Sequence, residues 1–495
     1  MLRPIRSFEK SLTSFADLLG IEISETDVVI SGMSHQSFEL EEGDLFIALP
    51  GAKTHGAIFC GEAKARGAVA ILTDEVGAEI ARNFDLPVLV IAKPRYAAGI
   101  VSAWFYGEPM RNLYSVGITG TNGKTTTSTL LNQIWNLAGR ESGLIGTIET
   151  RIGQDVFPSK RTTPESCDLQ TLVATMQERQ VLNLVMEVSS HAIALERMRG
   201  SHFDSVAFTN LTQDHLDFHQ TMEEYFQAKA KLFCFEYAER AIINIDDAYG
   251  RRLNKQSEIP VIQVSRFNTS ADWHFTSVES ISTGFEIAVR GPNGILIEGI
   301  FNLKGDYNLD NALLAIALAL ESGVDPLFIS TILPSLKGAV GRLESISIGQ
   351  NFHAFVDYAH SPDAVARVLA TCQKITSGKV IAVLGCGGDR DSSKRPLMGR
   401  ALAEGSDVAI FTSDNPRSED PKVILEQMTK GLEMSNRNRI IKDRKEAINC
   451  AVGLAQKNDV VIVLGKGHEI GQEVFGNILP FDDRLVLAEA IGLAK

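Results

Sequence analysis

The sequence predicts an α/β protein of two or three domains built on parallel sheets, and three observations carry that prediction. The chain has 495 residues, too many for a single hydrophobic core. An apolar segment, Leu113 to Ile118, runs into a small-residue loop and then into a stretch, Thr127 to Leu137, with helical apolar spacing. Farther on, three continuous apolar runs each end in a polar cluster. Val380 to Leu384 leads into Gly385-Cys-Gly-Gly-Asp-Arg390, Val408 to Thr412 into Ser413-Asp-Asn-Pro-Arg417, and Val460 to Leu464 into Gly465-Lys-Gly-His-Glu469. Continuous apolar strands set between helices indicate a parallel sheet, whose ligands sit at the strands' carboxyl ends. The three clusters are therefore expected to face one crevice.

Taken in order, residues 1 to about 110 mix short apolar strands (Val28 to Ile30, Asp44 to Ala48, Val69 to Leu72, Pro87 to Ile91) with helical stretches. From about 111 to 337 strands and helices alternate, with apolar strands at Asn183 to Val188, Val206 to Thr209 and Ala241 to Ile245. The third region, from about 338 to 495, holds the three runs with polar ends.

Composition excludes several classes. With 48 Lys+Arg against 61 Asp+Glu the net charge is −13, and no basic stripe interleaved with aromatics suggests nucleic acid. Anionic substrates would then be held by local clusters and bound metal and not by the overall field. No run of 18 apolar residues occurs, and the first twenty residues lack a continuous apolar core, so neither a membrane span nor a signal peptide is expected. The six cysteines (60, 167, 234, 372, 386, 450) form no Cys-x-x-Cys pair. A disulfide framework or zinc site is therefore not expected, and a reducing cytoplasm is the simple reading.

The loop Gly120-Thr121-Asn122-Gly123-Lys124-Thr125-Thr126 is the most informative segment. Between a strand and a helix, it points backbone N–H groups and a helix N-terminus at a polyphosphate. Lys124 would reach the outer phosphates and the Thr125 hydroxyl would ligate Mg²⁺. The spacing differs from the usual P-loop, which has a glycine where this chain has Ile118.

Glu187 ends the apolar run Leu184 to Met186, an expensive place for a carboxylate unless it meets a cation. That cation is either Mg²⁺ or a paired arginine or lysine. His215 reads by default as a polar loop histidine, because Mg²⁺ prefers oxygen. In the helix-like segment Met222 to Phe233, the residues at 222, 225, 226, 232 and 233 make one apolar stripe that includes Lys229, while Lys231 points away. Lys229 either snorkels or is desolvated to a neutral amine able to take up CO₂ as a carbamate. In the third region Arg390 and Arg417 offer forked donors for carboxylates, and Asp414 and Glu469 acceptors for ammonium groups. Each cluster alone is compatible with a turn. Together they suggest a pocket for a small zwitterion, and with the P-loop they suggest ATP-driven bond formation at a carboxylate.

The combination of Gly120-Thr-Asn-Gly-Lys-Thr-Thr126, Glu187-Val-Ser-Ser-His191, Asn210-Leu-Thr-Gln-Asp-His-Leu-Asp217, Gly341-Arg342 and Asp357-Tyr-Ala-His360 resembles the Mur ligases of peptidoglycan synthesis. Gly385 to Asp391 and Asp414-Asn415-Pro416-Arg417 resemble the members that add meso-2,6-diaminopimelate. The resemblance implies three domains: an N-terminal UDP-sugar-binding domain (1–110), a central P-loop ATPase (111–337) with a mostly parallel sheet, and a C-terminal Rossmann-like domain (338–495). It implies an ATP- and Mg²⁺-dependent ligase that acts on UDP-N-acetylmuramoyl-L-Ala-D-Glu, with Lys124, Lys229, Glu187 and His215 in catalysis. Thr125, Glu187, His215 and a carbamate on Lys229 would hold metal. Asn308, Arg342 and Asp357 would join the P-loop on ATP. Ser37, Thr162, Thr163, Ser189 and Arg197 would hold the nucleotide-sugar dipeptide. Arg390, Asp414, Asn415, Pro416, Arg417, Gly465 and Glu469 would hold diaminopimelate. The rivals are a lysine-adding variant, a folylpolyglutamate synthase-like ligase, and a P-loop switch without ligase chemistry.

Overall fold

The computed structural model describes residues 2–23, 27–51 and 53–494. Near the N-terminus four strands, β1 (Gly32–Ser34), β2 (Asp44–Ile47), β3 (Ala70–Thr73) and β4 (Val88–Val90), pair in parallel in sequential order. Helix α1 (Pro94–Phe105) starts at a proline whose missing N–H costs nothing in the first turn, and it buries Ala97, Ala98, Val101 and Phe105.

The central sheet has eleven strands. Its centre is β5 (Tyr114–Thr119), followed by α2 (Lys124–Leu137), β6 (Ser142–Ile145), β7 (Glu149–Ile152), β8 (Asp155–Pro158), α3 (Ser166–Glu178) and β9 (Asn183–Glu187). Then come β10 (Ser205–Phe208), α4 (Met222–Ala230), β11 (Ala241–Asn244), β12 (Val261–Ser265), β13 (Trp273–Ile281), β14 (Gly284–Arg290), β15 (Leu296–Phe301) and α5 (Asp306–Glu321). The order is β8-β7-β6-β9-β5-β10-β11-β12-β13-β14-β15. From β6 to β13 the pairing is parallel, and antiparallel strands extend both ends. The sequence reading missed these extensions. Half of β13 and much of β8 are exposed, so they lack the apolar runs that mark the central strands. Helices α2 and α5 cover one face, packing Leu130, Ile134 and Trp135 against Leu313 and Ile316. The chain crosses from one side of β5 to the other between β9 and β10, which opens a crevice at the strand's carboxyl end.

The third sheet comprises β16 (Glu344–Ser345), β17 (His353–Asp357), β18 (Val380–Cys386), β19 (Val408–Ser413), β20 (Asn438–Ile440) and β21 (Val460–Leu464) in the order β16-β17-β21-β18-β19-β20. All pairs but the first are parallel. Helices α6 (Pro362–Ile375), α7 (Arg395–Gly405) and α8 (Pro421–Met428) cover one face; α9 (Arg444–Leu454) and α10 (Asp483–Leu493) cover the other. This is a doubly wound arrangement. Its helices carry local start signals: Ser361 and Asp443 accept from Ala364 and Glu446 N–H as N-caps. Arg444, fully buried, forks onto Asp483 at 2.7 and 2.6 Å and donates to the carbonyls of Leu464 and Ser413, tying together two strand ends.

Candidate active site

Strand β5 delivers the loop before α2 into the crevice. Gly120 and Gly123 have φ of 144° and 91°, and a Cβ would fall 1.9 Å from Thr209 Oγ1 and 2.3 Å from Asn311 Oδ1 respectively. Only glycine fits there. A cavity opens on this loop, lined by Asn122, Gly123, Thr125 and Thr126, by Tyr307, Asp310 and Asn311, and by Arg342, Asp357, Tyr358 and His360 across the domain boundary. The buried Tyr307 hydroxyl and Arg342 Nε have no partner among the described residues, so the wall holds unused hydrogen-bonding capacity. Arg342 lies 4.5 Å over the Tyr358 ring, and Asp357 accepts from the N–H groups of Leu343 and Ala359. Asn308 does not line the cavity. Its amide donates to the Lys304 carbonyl and accepts from Asn311, so it braces a wall residue from behind.

Lys124 Nζ folds back to donate to the carbonyls of Gly120 and Thr121, 2.9 Å each. Burial lowers its pKa while Glu187 opposes the shift. Thr125, whose hydroxyl is the expected Mg²⁺ ligand, donates it to Glu187 Oε2 at 3.0 Å. Glu187 also accepts from the N–H and hydroxyl of Thr147, at 2.8 and 3.0 Å. Among the described residues no basic side chain is ion-paired with Glu187, so the arginine or lysine pairing considered above does not occur. Thr147 was not anticipated, since nothing local in its sequence marks it.

Lys229 is 1% exposed. Its Nζ donates to the Gly120 carbonyl at 2.8 Å and sits 4.7 Å over the Tyr225 ring. Burial, reinforced by the charge of Lys124, drives its pKa well down. Snorkelling is therefore excluded: helix α4 ends at Ala230, Leu232 and Phe233 continue the apolar wall in the turn beyond, and the amine is sealed inside while Lys231 is exposed. His215 has no hydrogen bond or ion pair with Glu187 among the described residues. It stands edge-on to His191 with Nε2 3.6 Å from Asp214, and burial pushes its pKa down to about 3. Asp214 is held at about 2, against its burial, by His215, His360 and Lys394.

A second, larger cavity shares Tyr358 and His360 with the first. The central domain contributes Thr162, Thr163, Ser189, Arg197 and His215 to it. The ends of β18, β19 and β21 contribute Arg390, Asp414, Asn415, Arg417, Gly465 and Glu469, so all three polar clusters face one crevice. Thr163 donates to the Glu187 carbonyl at 2.8 Å, and Arg197 donates to the Thr163 carbonyl while pairing with Glu165 at 3.0 Å. Asn415 donates to Glu469 and accepts from the buried Lys466. Arg417, in a left-handed conformation (φ 51°), donates to the Gly388 carbonyl at 2.6 Å and meets Glu473 at 3.3 Å. Pro416 supplies no wall, but its carbonyl packs so close to Gly388 that a Cβ there would lie 1.9 Å away. Ser37 lines neither cavity and donates to Glu62 at 2.7 Å within the N-terminal domain. Lys394, which also lines the cavity, carried no local signal in the sequence, whereas Asp391, another wall residue, closes the Gly385 to Asp391 segment noted above.

Residues 118–319 match the Mur ligase middle domain, residues 341–467 the Mur ligase glutamate ligase domain, and residues 29–100 the Mur ligase family catalytic domain. The UDP-N-acetylmuramoyl-L-alanyl-D-glutamate--2,6-diaminopimelate ligase of Streptomyces coelicolor is 46% identical over 495 residues, covering 99% of this chain and 98% of its own. The protein of that name from Bacillus velezensis is 40% identical over 472 residues, covering 94% and 95%. A solved structure of a UDP-N-acetylmuramoyl-L-alanyl-D-glutamate--2,6-diaminopimelate ligase superposes with a TM-score of 0.68 at 32% identity, over 97% of this chain and 98% of that one. Folylpolyglutamate synthase of Mycobacterium tuberculosis gives 0.62 at 16% identity over 75% of this chain and 93% of its own, a likeness of fold alone. With matches in all three regions and relatives of this identity along nearly its whole length, the chain belongs to the Mur ligase family.

Proposed function

We propose that this chain is an ATP-dependent amide ligase that joins meso-2,6-diaminopimelate to the D-Glu γ-carboxylate of UDP-N-acetylmuramoyl-L-Ala-D-Glu. It would act as a cytoplasmic monomer in peptidoglycan precursor synthesis. The observation that carries the reading is the meeting of two cavities at Tyr358 and His360, one floored by a P-loop and the other walled by three strand ends bearing both charge signs.

ATP lies in the first cavity with its phosphates over α2. Lys124 leaves the loop carbonyls to reach the outer phosphate, where charge develops. The oxygens of Thr125 and Glu187 are hard donors that suit Mg²⁺. When bound, the ion neutralises charge on the phosphate oxygens. The D-Glu carboxylate, held beside Thr163, Ser189 and Arg197, attacks the γ-phosphorus and ADP leaves. The amine of diaminopimelate, arriving neutral, then attacks the acyl carbon, a C–N bond forms, the C–O bond breaks, and phosphate departs carrying the proton the amine gives up. Asp414 and Glu469 receive the substrate's ammonium group, and Arg390 and Arg417 its carboxylates. Lys229 carries a carbamate: its desolvated amine adds to CO₂ and one proton leaves to solvent. The positive charge of Lys124, which disfavours an ammonium there, favours that anion.

The test is phosphate release from ATP and Mg²⁺ with the muramoyl dipeptide, comparing diaminopimelate with lysine. Release requiring both dipeptide and diaminopimelate is expected. Release driven by a folate instead, or ATP binding with no substrate-stimulated hydrolysis, overturns the reading.

A further inference from the structure

Away from both cavities, three side chains of metal-binding type converge where the N-terminal domain meets the central one. His35 follows strand β1, and Cys167 and Asp168 lie in the first turn of α3. Their ligating atoms come together as one group, the only such group of three among the described residues. Cys167 Sγ is 3.6 Å from His35 Nδ1 and 3.6 Å from Asp168 Oδ1, and Nδ1 and Oδ1 are 3.3 Å apart. The thiol is 1% exposed and the other two side chains 12% and 18%.

These spacings discriminate between two arrangements. A tetrahedral zinc ion with bonds of about 2.3 Å to sulfur and about 2.0–2.1 Å to nitrogen and oxygen sets its ligands about 3.5–3.6 Å apart where sulfur is one of them. Between nitrogen and oxygen the same geometry gives about 3.3 Å. All three measured edges fit. A hydrogen-bonded trio fits less well, because a histidine–carboxylate pair closes to about 2.7–2.9 Å when it is charged. Charge points the same way, since a thiolate, a carboxylate and a neutral imidazole cancel a divalent ion, which a largely buried site requires.

We propose that His35, Cys167 and Asp168 bind one zinc-class divalent ion, with water as the fourth ligand and the thiol proton released to solvent. The sulfur and imidazole donors select against Mg²⁺. The ion would staple the N-terminal domain to the central domain, alongside the Arg95–Glu165 pair that already links them at 2.7 Å.

The test is titration of the full chain with Co²⁺ in excess Mg²⁺, read by absorption. One equivalent is expected to give the intense visible bands of a tetrahedral site together with a sulfur-to-cobalt charge-transfer band, both displaced by Zn²⁺. Cys167→Ser should lose the charge-transfer band, His35→Gln should weaken binding at least tenfold, and Cys234→Ser should leave both unchanged. Zn²⁺ should also raise the melting temperature of the unsubstituted chain and not that of His35→Gln. Spectra of hydrated cobalt alone in the unsubstituted chain, or a charge-transfer band that survives in Cys167→Ser, overturn the proposal.

Discussion

Arg417→Ala removes a forked cation from the wall of the larger cavity while leaving intact the turn that carries it. The backbone N–H of residue 417 donates to the Glu473 carbonyl and its carbonyl accepts from Phe475, and neither bond needs the side chain. Alanine meets the same left-handed φ of 51° that arginine already tolerates, so the backbone strain is unchanged. What is lost is the guanidinium's hydrogen bond to the Gly388 carbonyl and, on the proposed function, its contact with a substrate carboxylate. A hydrogen bond to a charged group contributes about 1.5–3 kcal/mol. The side chain is 22% exposed, so solvent screening places the loss near the lower half of that range, about 2 kcal/mol. At 1.36 kcal/mol per decade this is roughly a 30-fold rise in KM for diaminopimelate. KM for ATP, bound in the other cavity, should move by less than about twofold. Initial-rate phosphate release measured against each substrate in turn gives both numbers. Equal effects on the two would remove Arg417 from the amino-acid pocket. Arg417→Lys should recover part of the loss, because it keeps the charge and not the fork.

Lys229→Ala should abolish turnover while binding of the muramoyl dipeptide, followed by calorimetry, survives; near-normal turnover would rule out a carbamate. Arg444→Met leaves Asp483 buried without its partner and should destabilise the chain by about 3–5 kcal/mol in chemical denaturation. Its effect on diaminopimelate KM should follow, because Arg444 ties the ends of β19 and β21. His219 is 4% exposed, and burial, with His191 and Lys229 nearby, holds its pKa at about 4 against an ordinary 6.5. The unfolded chain therefore binds a proton there between pH 6.5 and 4 that the folded chain does not. Stability should fall with decreasing pH through that window, by up to about 1.4 kcal/mol per pH unit from this residue, and level off below it. His219→Gln should flatten the slope in denaturation midpoints measured from pH 7 to pH 4.5, and an unchanged slope would contradict the assignment.

Legibility in the sequence followed locality. The P-loop was readable because strand, glycine turn and helix start lie within a few residues of one another. The same holds for the runs ending at Leu384, Thr412 and Leu464, whose continuous apolar character announces strands buried on both faces. The antiparallel strands from Trp273 to Phe301 were not readable, because half-exposed edge strands alternate weakly and take their identity from neighbours. Of the site residues, Ser37 and Asn308 carried a resemblance but no geometry. Their side chains are engaged by Glu62 and by Lys304 and Asn311, which sequence position does not disclose. Thr147 was invisible for the converse reason: an ordinary threonine acquires its role only by lying beside Glu187.

The amino-acid order alone determined that this chain builds parallel sheets, carries a glycine-bearing loop between strand and helix at residues 120–126 and offers charge at three strand ends, because each of those properties is set by short-range pattern and backbone geometry. Tertiary structure alone decided whether Lys229 reaches water or is sealed against Tyr225, whether Glu187 meets a basic residue or two threonine hydroxyls, and whether His35 finds Cys167 and Asp168. Those outcomes depend on which groups, distant in the chain, share a low-dielectric space, and burial and charge there act over a few ångströms whatever the separation in sequence.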